Sequence, residues 1–285
     1  MITVNKNTRF LIVGLGLIGG SYARGLTGKG YYVEAITKEQ KEVDFALSHG
    51  IVKKATTEID EEMIRSADVI IFALYPKYFT QWIESYGDLL KPGTLITDVT
   101  GVKGCIVNDI QDKLPPLVEF ISAHPMAGRE VYGLENSDER IFYGANYIVV
   151  PTKRNTEAGI EACKRIGEIL GFGRINELTP EEHDDMIGFV SQLTHCIAVS
   201  LMTCYEHGEL EKYTGDSFRD LTRIANINEN MWSELFMLNK EALLRQMDIF
   251  KGEFDKMYTY LKEDKKEEMM NMMRISTQRR KLFDK

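Results

Sequence analysis

Over the first part of the chain, apolar residues gather into short unbroken runs. Over the last part they fall into helix-spaced stripes. The runs at 9–13, 32–36, 69–74, 94–98, 117–121 and 146–150 are each four to six residues long and bounded by turn formers, the signature of strands buried on both faces. Helical segments alternate with them: 21–26, 41–49 closed by Gly50, 79–90 before Pro92-Gly93, and 157–170. In the last of these Ala158, Ile160, Ala162, Ile166 and Leu170 supply the apolar face, and Gly171-Phe172-Gly173 ends it before a short strand at 174–176. Strand–helix alternation predicts an α/β unit with a parallel sheet over residues 1–178.

From residue 179 no strand-like pattern appears. Thr179-Pro180-Glu181-Glu182 is a helix start, with Thr as N-cap, Pro at the first position and Glu closing a capping box. Residues 184–206 read as one long, largely buried helix. Leu243, Met247, Phe250, Phe254, Met257 and Leu261 recur at alternating four- and three-residue steps, a heptad seam that packs one long helix on another. The methionines at 269, 270, 272 and 273 suit adaptable packing. Residues 179–285 therefore form an all-helical unit, and so apolar a small unit predicts a core shared between two chains.

The first strand runs straight into Gly14-Leu15-Gly16-Leu17-Ile18-Gly19, and a helix follows. Strand, G-x-G-x-x-G and helix together predict a Rossmann-type dinucleotide site. The first glycine permits the tight turn, the second admits the pyrophosphate and the third lets helix and strand pack. Gly14, Gly16, Leu17, Ile18 and Gly19 are then cofactor contacts at a helix N-terminus. The position after the second strand, where an acidic residue binds the NAD ribose, is Thr37, followed by Lys38. A hydroxyl and an ammonium favour NADP over NAD, with Glu39 close by as a counter-signal. Leu74, Tyr75 and Pro76, leaving the strand at 69–74, should lie over the cofactor.

The composition narrows the partners. The chain of 285 residues is 44% hydrophobic, enough for a sizeable core. Its formal net charge of -8 argues against nucleic acid, which demands clustered basic charge. No signal peptide and no bilayer-spanning stretch is read, so the protein is expected in the cytoplasm, with no membrane partner. Cys105, Cys163, Cys196 and Cys204 have no CxxC or zinc spacing and read as reduced, mostly packed thiols; no metal is expected.

The stretch 121–130, Ile-Ser-Ala-His-Pro-Met-Ala-Gly-Arg-Glu, is the candidate chemistry. Pro125 and Gly128 stop the strand before them, leaving His124 at its mouth, where a histidine either moves protons or makes an ordinary loop hydrogen bond. Residues 99–103 leave another strand end, and their hydroxyl and lysine groups either reach a substrate or cap the next helix. The polar segment 131–142 is expected to cover the site.

In order along the chain, the glycine loop, 98–103, His124-Pro125-Met126-Ala127-Gly128, 191–195 and Asp220-Leu221-Thr222-Arg223-Ile224-Ala225 resemble the prephenate and arogenate dehydrogenases of tyrosine biosynthesis over nearly the whole length. The resemblance implies a Rossmann domain followed by an all-α dimerisation domain, a homodimer, and oxidative decarboxylation of prephenate to 4-hydroxyphenylpyruvate with hydride transfer to NAD(P). It implies His124 as acceptor of the ring-hydroxyl proton and Arg223 as bidentate partner of a substrate carboxylate. His195 matches a second histidine near nicotinamide or substrate; Glu130 and Asp220 match acidic positions that pair with the arginine and gate the pocket. Ser191 and Gln192 stand where many prephenate enzymes carry a histidine, which keeps arogenate open as substrate.

Two departures stand out. Thr100-Gly101 replaces the family's Gly-Ser, so a catalytic serine hydroxyl is missing and Thr100 is the nearest substitute. Arg129 replaces a small polar residue and offers a cation for the pyruvyl carboxylate or for bound tyrosine. No regulatory ACT domain is expected to follow, and feedback by tyrosine, if present, is then expected to act at the active site. Other Rossmann-plus-helical-dimer reductases lack both signature stretches, and a non-catalytic dinucleotide sensor would not require the histidine–arginine pair.

Overall fold

Unbroken runs of Val, Ile, Leu and Phe make the sheet, because strands covered by helices on both faces meet no water to reward alternation. The computed structural model describes residues 3–129, 131–206 and 208–283. Six parallel strands, β1 (Arg9–Val13), β2 (Tyr32–Ile36), β3 (Lys54–Thr56), β4 (Val69–Phe72), β5 (Leu95–Asp98) and β6 (Glu119–Phe120), lie in the order β3-β2-β1-β4-β5-β6. This is the dinucleotide-binding order, with a switch point between β1 and β4. Helices α1 (Leu17–Gly28), α2 (Gln40–Ser48), α3 (Glu61–Ser66), α4 (Pro76–Tyr86) and α5 (Val107–Lys113) connect the strands. One core, with Tyr22, Phe142 and Tyr147, fills one face of the sheet; Phe72, Phe79, Trp82 and Phe120 lead the core on the other.

The strand expected at 117–121 is cut short, and the histidine lies in a second strand. β6 is two residues long, and Ser122–Met126 forms a new strand, β7, that pairs antiparallel with β8 (Asn146–Val150) and opens a second sheet of order β7-β8-β9. β9 is Arg174–Glu177, reached through α6 (Glu157–Leu170), whose αL residue Gly171 has φ 84°. Pro125 is tolerated because β7 is an edge strand, where a missing N–H breaks no ladder on the open side. His124 therefore sits inside a strand, opposite Ile148, rather than in a loop. The strand β3 and helix α3 were not foreseen; both are short and carry few apolar residues.

The segment expected to cover the site instead packs on α1 from Leu134 onward. Leu134 and Phe142 are buried, Ser21 Oγ accepts the Asp138 N–H at 3.0 Å, and Arg24 donates to Ser137 Oγ at 2.8 Å.

Beyond β9 the chain is helical. The Thr179 hydroxyl accepts from Glu182 N and the Glu182 carboxylate accepts from Thr179 N, so the capping box forms as expected. α7 (Pro180–Ile187), a π-helical stretch (Gly188–Leu193) and α8 (Thr194–Thr203) make one continuous helix. It stops at Thr203 rather than 206, and within a single chain it is not largely buried: Met186, Phe189, Val190 and Met202 are exposed. By length and composition alone it would be able to cross a membrane, contrary to the expectation that no stretch could. α9 (Asp216–Thr222), α10 (Glu229–Leu238), α11 (Lys240–Lys262) and α12 (Lys266–Arg280) follow. Leu243 of the heptad seam is buried against the π-helical stretch, whereas Met247, Phe250, Phe254 and Leu261 are exposed. Among the described residues, most of the seam is thus left uncovered within one chain. All four cysteines are free, and Cys105 and Cys204 are exposed rather than packed.

Candidate active site

The glycine loop is shaped for close backbone approach. Gly14 has φ 98°, and a Cβ there would lie 2.6 Å from the Ala73 carbonyl oxygen. A Cβ on Gly19 would lie 1.9 Å from the Gly14 carbonyl oxygen, so strand and helix touch as only glycine allows. A Cβ on Gly16 would meet nothing within 4 Å. Gly16 is also the N-cap of α1 and caps it with no side chain, so the first turn at Leu17 and Ile18 presents bare N–H groups. This open, positively polarised helix end fits a pyrophosphate.

At the end of β2, Thr37 is buried and its hydroxyl is spent. It accepts from Leu15 N at 3.3 Å and donates to the Glu42 carboxylate. The sequence reading missed Glu42, five residues on and one helical turn away, because it looked only at the strand end. Lys38 is exposed. Past β4, Leu74 packs against the core with its Cδ2 beside Gly14, Tyr75 is partly exposed, and Pro76 opens α4. Burial, with the nearby Tyr132, Glu234 and Tyr78, raises the Tyr75 pKa, and Glu234 belongs to α10 of the helical half.

The loop after β5 holds a buried ion pair. Asp98 Oδ1 accepts from Ser122 Oγ at 2.6 Å and Ala123 N at 3.1 Å; Oδ2 accepts from Thr100 N at 3.0 Å, from Lys103 Nζ at 2.9 Å and from the Thr100 hydroxyl. Lys103 also donates to the Ala123 carbonyl at 2.6 Å. Burial drives the Lys103 ammonium pKa down, and Asp98 pulls it back up. Two charges so far from water persist only because each is fully hydrogen-bonded. The pair ties β5 to β7 at the residue before His124. It also answers two expectations. The Lys103 ammonium is committed to Asp98, Thr100 and the Ala123 carbonyl, and the Thr100 hydroxyl faces Asp98 and the Val102 carbonyl (3.1 Å) rather than His124. Gly101 is the residue facing His124: a Cβ there would lie 3.9 Å from Nε2.

His124 Nδ1 lies 2.9 Å from Nε2 of His183, a buried residue of α7. His183 Nδ1 lies 2.8 Å from Asp184 Oδ1, and Asp184 accepts from the backbone N–H of Lys103 (2.8 Å) and Gly104 (2.7 Å). Burial, then His183 and Lys103, hold the His124 imidazole pKa well below its ordinary value. His183 is lowered as well, by burial against the upward pull of Asp184. The sequence reading passed over His183 and Asp184 because they follow a capping box in a run of acids that looks solvated. The available signal is spacing: His183 and Asp184 lie one turn from Pro180 and Ile187, which are buried with them on one side of α7.

The remaining candidates divide. Asn239 donates to the Asp184 carbonyl and to Gln192 Oε1, both at 2.8 Å, while Gln192 Nε2 donates to the Leu235 carbonyl at 3.0 Å. Gln192 is buried with both amide ends committed, so it fastens helices together and does not face substrate. Ser191 is half-buried, and its carbonyl pairs with His195 Nδ1 at 2.9 Å, while the His195 ring stacks on Trp232 at 3.7 Å. Arg223 begins the turn after α9, with Asp220 exposed one turn earlier. Arg129 is half-exposed and lies 3.7 Å from Asp138, whose pKa Arg140, chiefly, lowers to about 2. Glu130 lies outside the described residues. No cluster able to hold a metal ion occurs among the described residues.

Both halves match known proteins. Residues 22–176 match the nucleotide-binding domain of prephenate dehydrogenase and residues 179–275 its dimerization domain. The chain is 28% identical over 273 residues to a prephenate dehydrogenase of Bacillus subtilis, covering 93% of this chain and 73% of that one. It is 29% identical over 258 residues to a cyclohexadienyl dehydrogenase of Zymomonas mobilis, covering 87% and 86%. The crystal structure of Aquifex aeolicus prephenate dehydrogenase in complex with hydroxyphenyl propionate and NAD+ superimposes with a TM-score of 0.89 at 27% identity, over 99% of this chain and all of that one. A nucleotide-binding half and a helical half that both match the same enzyme, in the same order, place this chain in the prephenate dehydrogenase family of NAD(P)-dependent oxidoreductases.

Proposed function

We propose that the chain catalyses the oxidative decarboxylation of prephenate to 4-hydroxyphenylpyruvate, with His124 as the group that accepts the ring-hydroxyl proton. The observation that carries this is the setting of His124. One ring nitrogen is bonded to the helical half, and the other faces the gap beside Gly101 in the nucleotide-binding half. The glycine loop would hold the cofactor's pyrophosphate, and the nicotinamide would supply the hydride acceptor. His124 takes the hydroxyl proton at Nε2 as the carbinol carbon becomes a carbonyl, and loss of carbon dioxide aromatises the ring. An imidazole whose pKa burial holds down is neutral at physiological pH, as a proton acceptor must be. Arg223 is assigned to a substrate carboxylate, since a dianionic substrate cannot be desolvated without a cation. His195, flat against Trp232, is assigned to the substrate wall.

For the cofactor, the Glu42 carboxylate on Thr37 supports NAD over the NADP that the strand end alone suggested. Held by Thr37 at the end of β2, it would meet a 2′-phosphate with like charge. A homodimer through the C-terminal helices is supported by the exposed seam of α11 and by the match to a dimerization domain. The test is kcat/KM of the purified chain with prephenate and with arogenate, each with NAD and NADP. Prephenate with NAD is expected to lead. A preference for arogenate reassigns the substrate, and absence of turnover with either leaves a dinucleotide-binding sensor.

A further inference from the structure

His183 is buried, titratable and in contact with the proton acceptor, and the reaction as written gives it nothing to do. The hydrogen-bond polarity along its contacts is fixed from one end. Asp184, as a carboxylate, has only acceptors, and it receives the N–H groups of Lys103 and Gly104. The proton between His183 Nδ1 and Asp184 Oδ1 therefore sits on the imidazole. A neutral imidazole with its hydrogen on Nδ1 has a lone pair at Nε2, and that atom is 2.9 Å from His124 Nδ1. His124 must then carry its own hydrogen on Nδ1 and a lone pair on Nε2, the atom facing Gly101. The opposite polarity would need His183 protonated on both nitrogens in a buried site that already holds the Lys103 ammonium.

We propose that His183, oriented by Asp184, is a positioning residue that holds His124 in the Nδ1–H tautomer and so keeps Nε2 as the acceptor toward substrate. This rests on the reading of His124 as proton acceptor. Asp184 and His183 act on His124 as a buried aspartate acts on the histidine of a serine protease, with one imidazole interposed. When the substrate O–H bond breaks and the Nε2–H bond forms, His124 becomes a cation. Its Nδ1–H···Nε2 bond to His183 is then charge-assisted and stronger, which favours the protonated product state over the resting one. No other proton need move.

The helix is built to deliver this geometry. The Thr179–Glu182 capping box fixes where α7 begins, and Asn239 grips the Asp184 carbonyl as the helix enters its π-helical stretch. Such stretches recur at functional sites because they re-aim side chains.

The test reads the tautomer directly, by 15N NMR of histidine-labelled protein, together with His183→Gln and His183→Phe. Glutamine can still accept from His124 and donate to Asp184; phenylalanine can do neither. In the wild type, His124 Nδ1 is expected to give a pyrrole-type signal and Nε2 a pyridine-type signal. His183→Gln should keep that pattern and retain kcat within about threefold. His183→Phe should mix the tautomers and lower kcat roughly 10-fold or more, with KM for NAD unchanged, in line with a lost general-base orientation. An Nε2–H tautomer in the wild type, or equal loss of kcat in the two variants, overturns the proposal. If the wild type shows the Nδ1–H form yet turns over neither prephenate nor arogenate, the tautomer assignment stands and the functional reading falls.

Discussion

The backbone N–H of Lys103 donates to Oδ1 of Asp184 at 2.8 Å, although 81 residues separate the two. Lys103 leaves the parallel sheet and Asp184 opens the helical half, so this bond and its neighbour from Gly104 join the two units beside His124. Replacing Asp184 by alanine would strand the buried Lys103 N–H, the part-buried Gly104 N–H and the His183 Nδ1–H. Each unmet buried donor costs about 1–3 kcal/mol. Asp184→Ala is expected to lower the urea midpoint clearly and to reduce kcat, with a smaller loss for Asp184→Asn, which keeps one acceptor. A midpoint equal to wild type would mean that the junction is held elsewhere.

The depressed pKa of His124 has a sign that kinetics can read. Lowering an imidazole pKa keeps it neutral to lower pH, so the acid limb of kcat/KM should fall below the ordinary value of 6.5. His183 and Lys103 push the His124 pKa the same way as burial, and Asp184 and Asp98 act in turn on His183. Burial is the largest cause, so salt should shift the limb little. His124→Asn should remove the limb and lower kcat by roughly 10²–10⁴ with KM little changed. A limb above the ordinary value that survives the substitution assigns the proton to another group.

Glu42 makes the cofactor preference testable without touching the glycine loop. Its carboxylate is held by the Thr37 hydroxyl, next to the N–H of Leu15. Glu42→Ala removes the charge that a 2′-phosphate would meet, and Lys38 remains exposed nearby. The ratio of kcat/KM for NADP over NAD is expected to rise about 10-fold or more, equivalent to about 1.4 kcal/mol. An unchanged ratio would place the discriminating contact outside β2 and α2.

The seam of α11 predicts an assembly. Phe254 is 64% exposed and Leu261 is 61% exposed in the single chain, a continuous apolar stripe of the kind that marks an interaction surface. Phe254→Glu should convert a dimer to a monomer in sedimentation equilibrium and make the unfolding temperature independent of protein concentration. A wild type that sediments as a monomer at all concentrations removes the reason for the stripe.

How much of this was legible in the chain depends on range. The strands β1, β2 and β8 and the helix α6 were readable because each is a local pattern with its own start and stop. The glycine loop was readable because the turn, the close approach and the helix end are all demanded within six residues. The second sheet was not: Pro125 normally ends a strand, and only the topology shows that β7 is an edge. The partners of the histidine were not readable either. The contact between His124 and His183 spans 59 residues, and a buried His-Asp pair beside three surface acids looks, in sequence, like more surface. Thr100 was misread for a related reason: its direction is set by Asp98 and Lys103, which the sequence places beside it without saying which way they face.

Gly101 is the clearest opportunity to alter the site by addition. It does not have the positive φ that disfavours side chains, and the nearest atoms to a Cβ there are Leu235 Cδ1 at 3.8 Å and the His124 ring at 3.9 Å, ordinary contact distances. Gly101→Ser should therefore fold normally. It places a hydroxyl where the family pattern has one, within reach of the acceptor nitrogen and of a substrate hydroxyl bound to it. The added donor can steady the oxygen as it loses its proton, and a positioned hydrogen bond of this kind contributes about 0.5–1.5 kcal/mol. The expected result is a rise in kcat/KM for prephenate of roughly two- to tenfold, the same energy expressed as a rate, with KM for NAD unchanged. A fall in kcat/KM with the fold intact would show that the gap beside Nε2 is filled by substrate itself, and that this chain has reshaped the pocket around the missing hydroxyl.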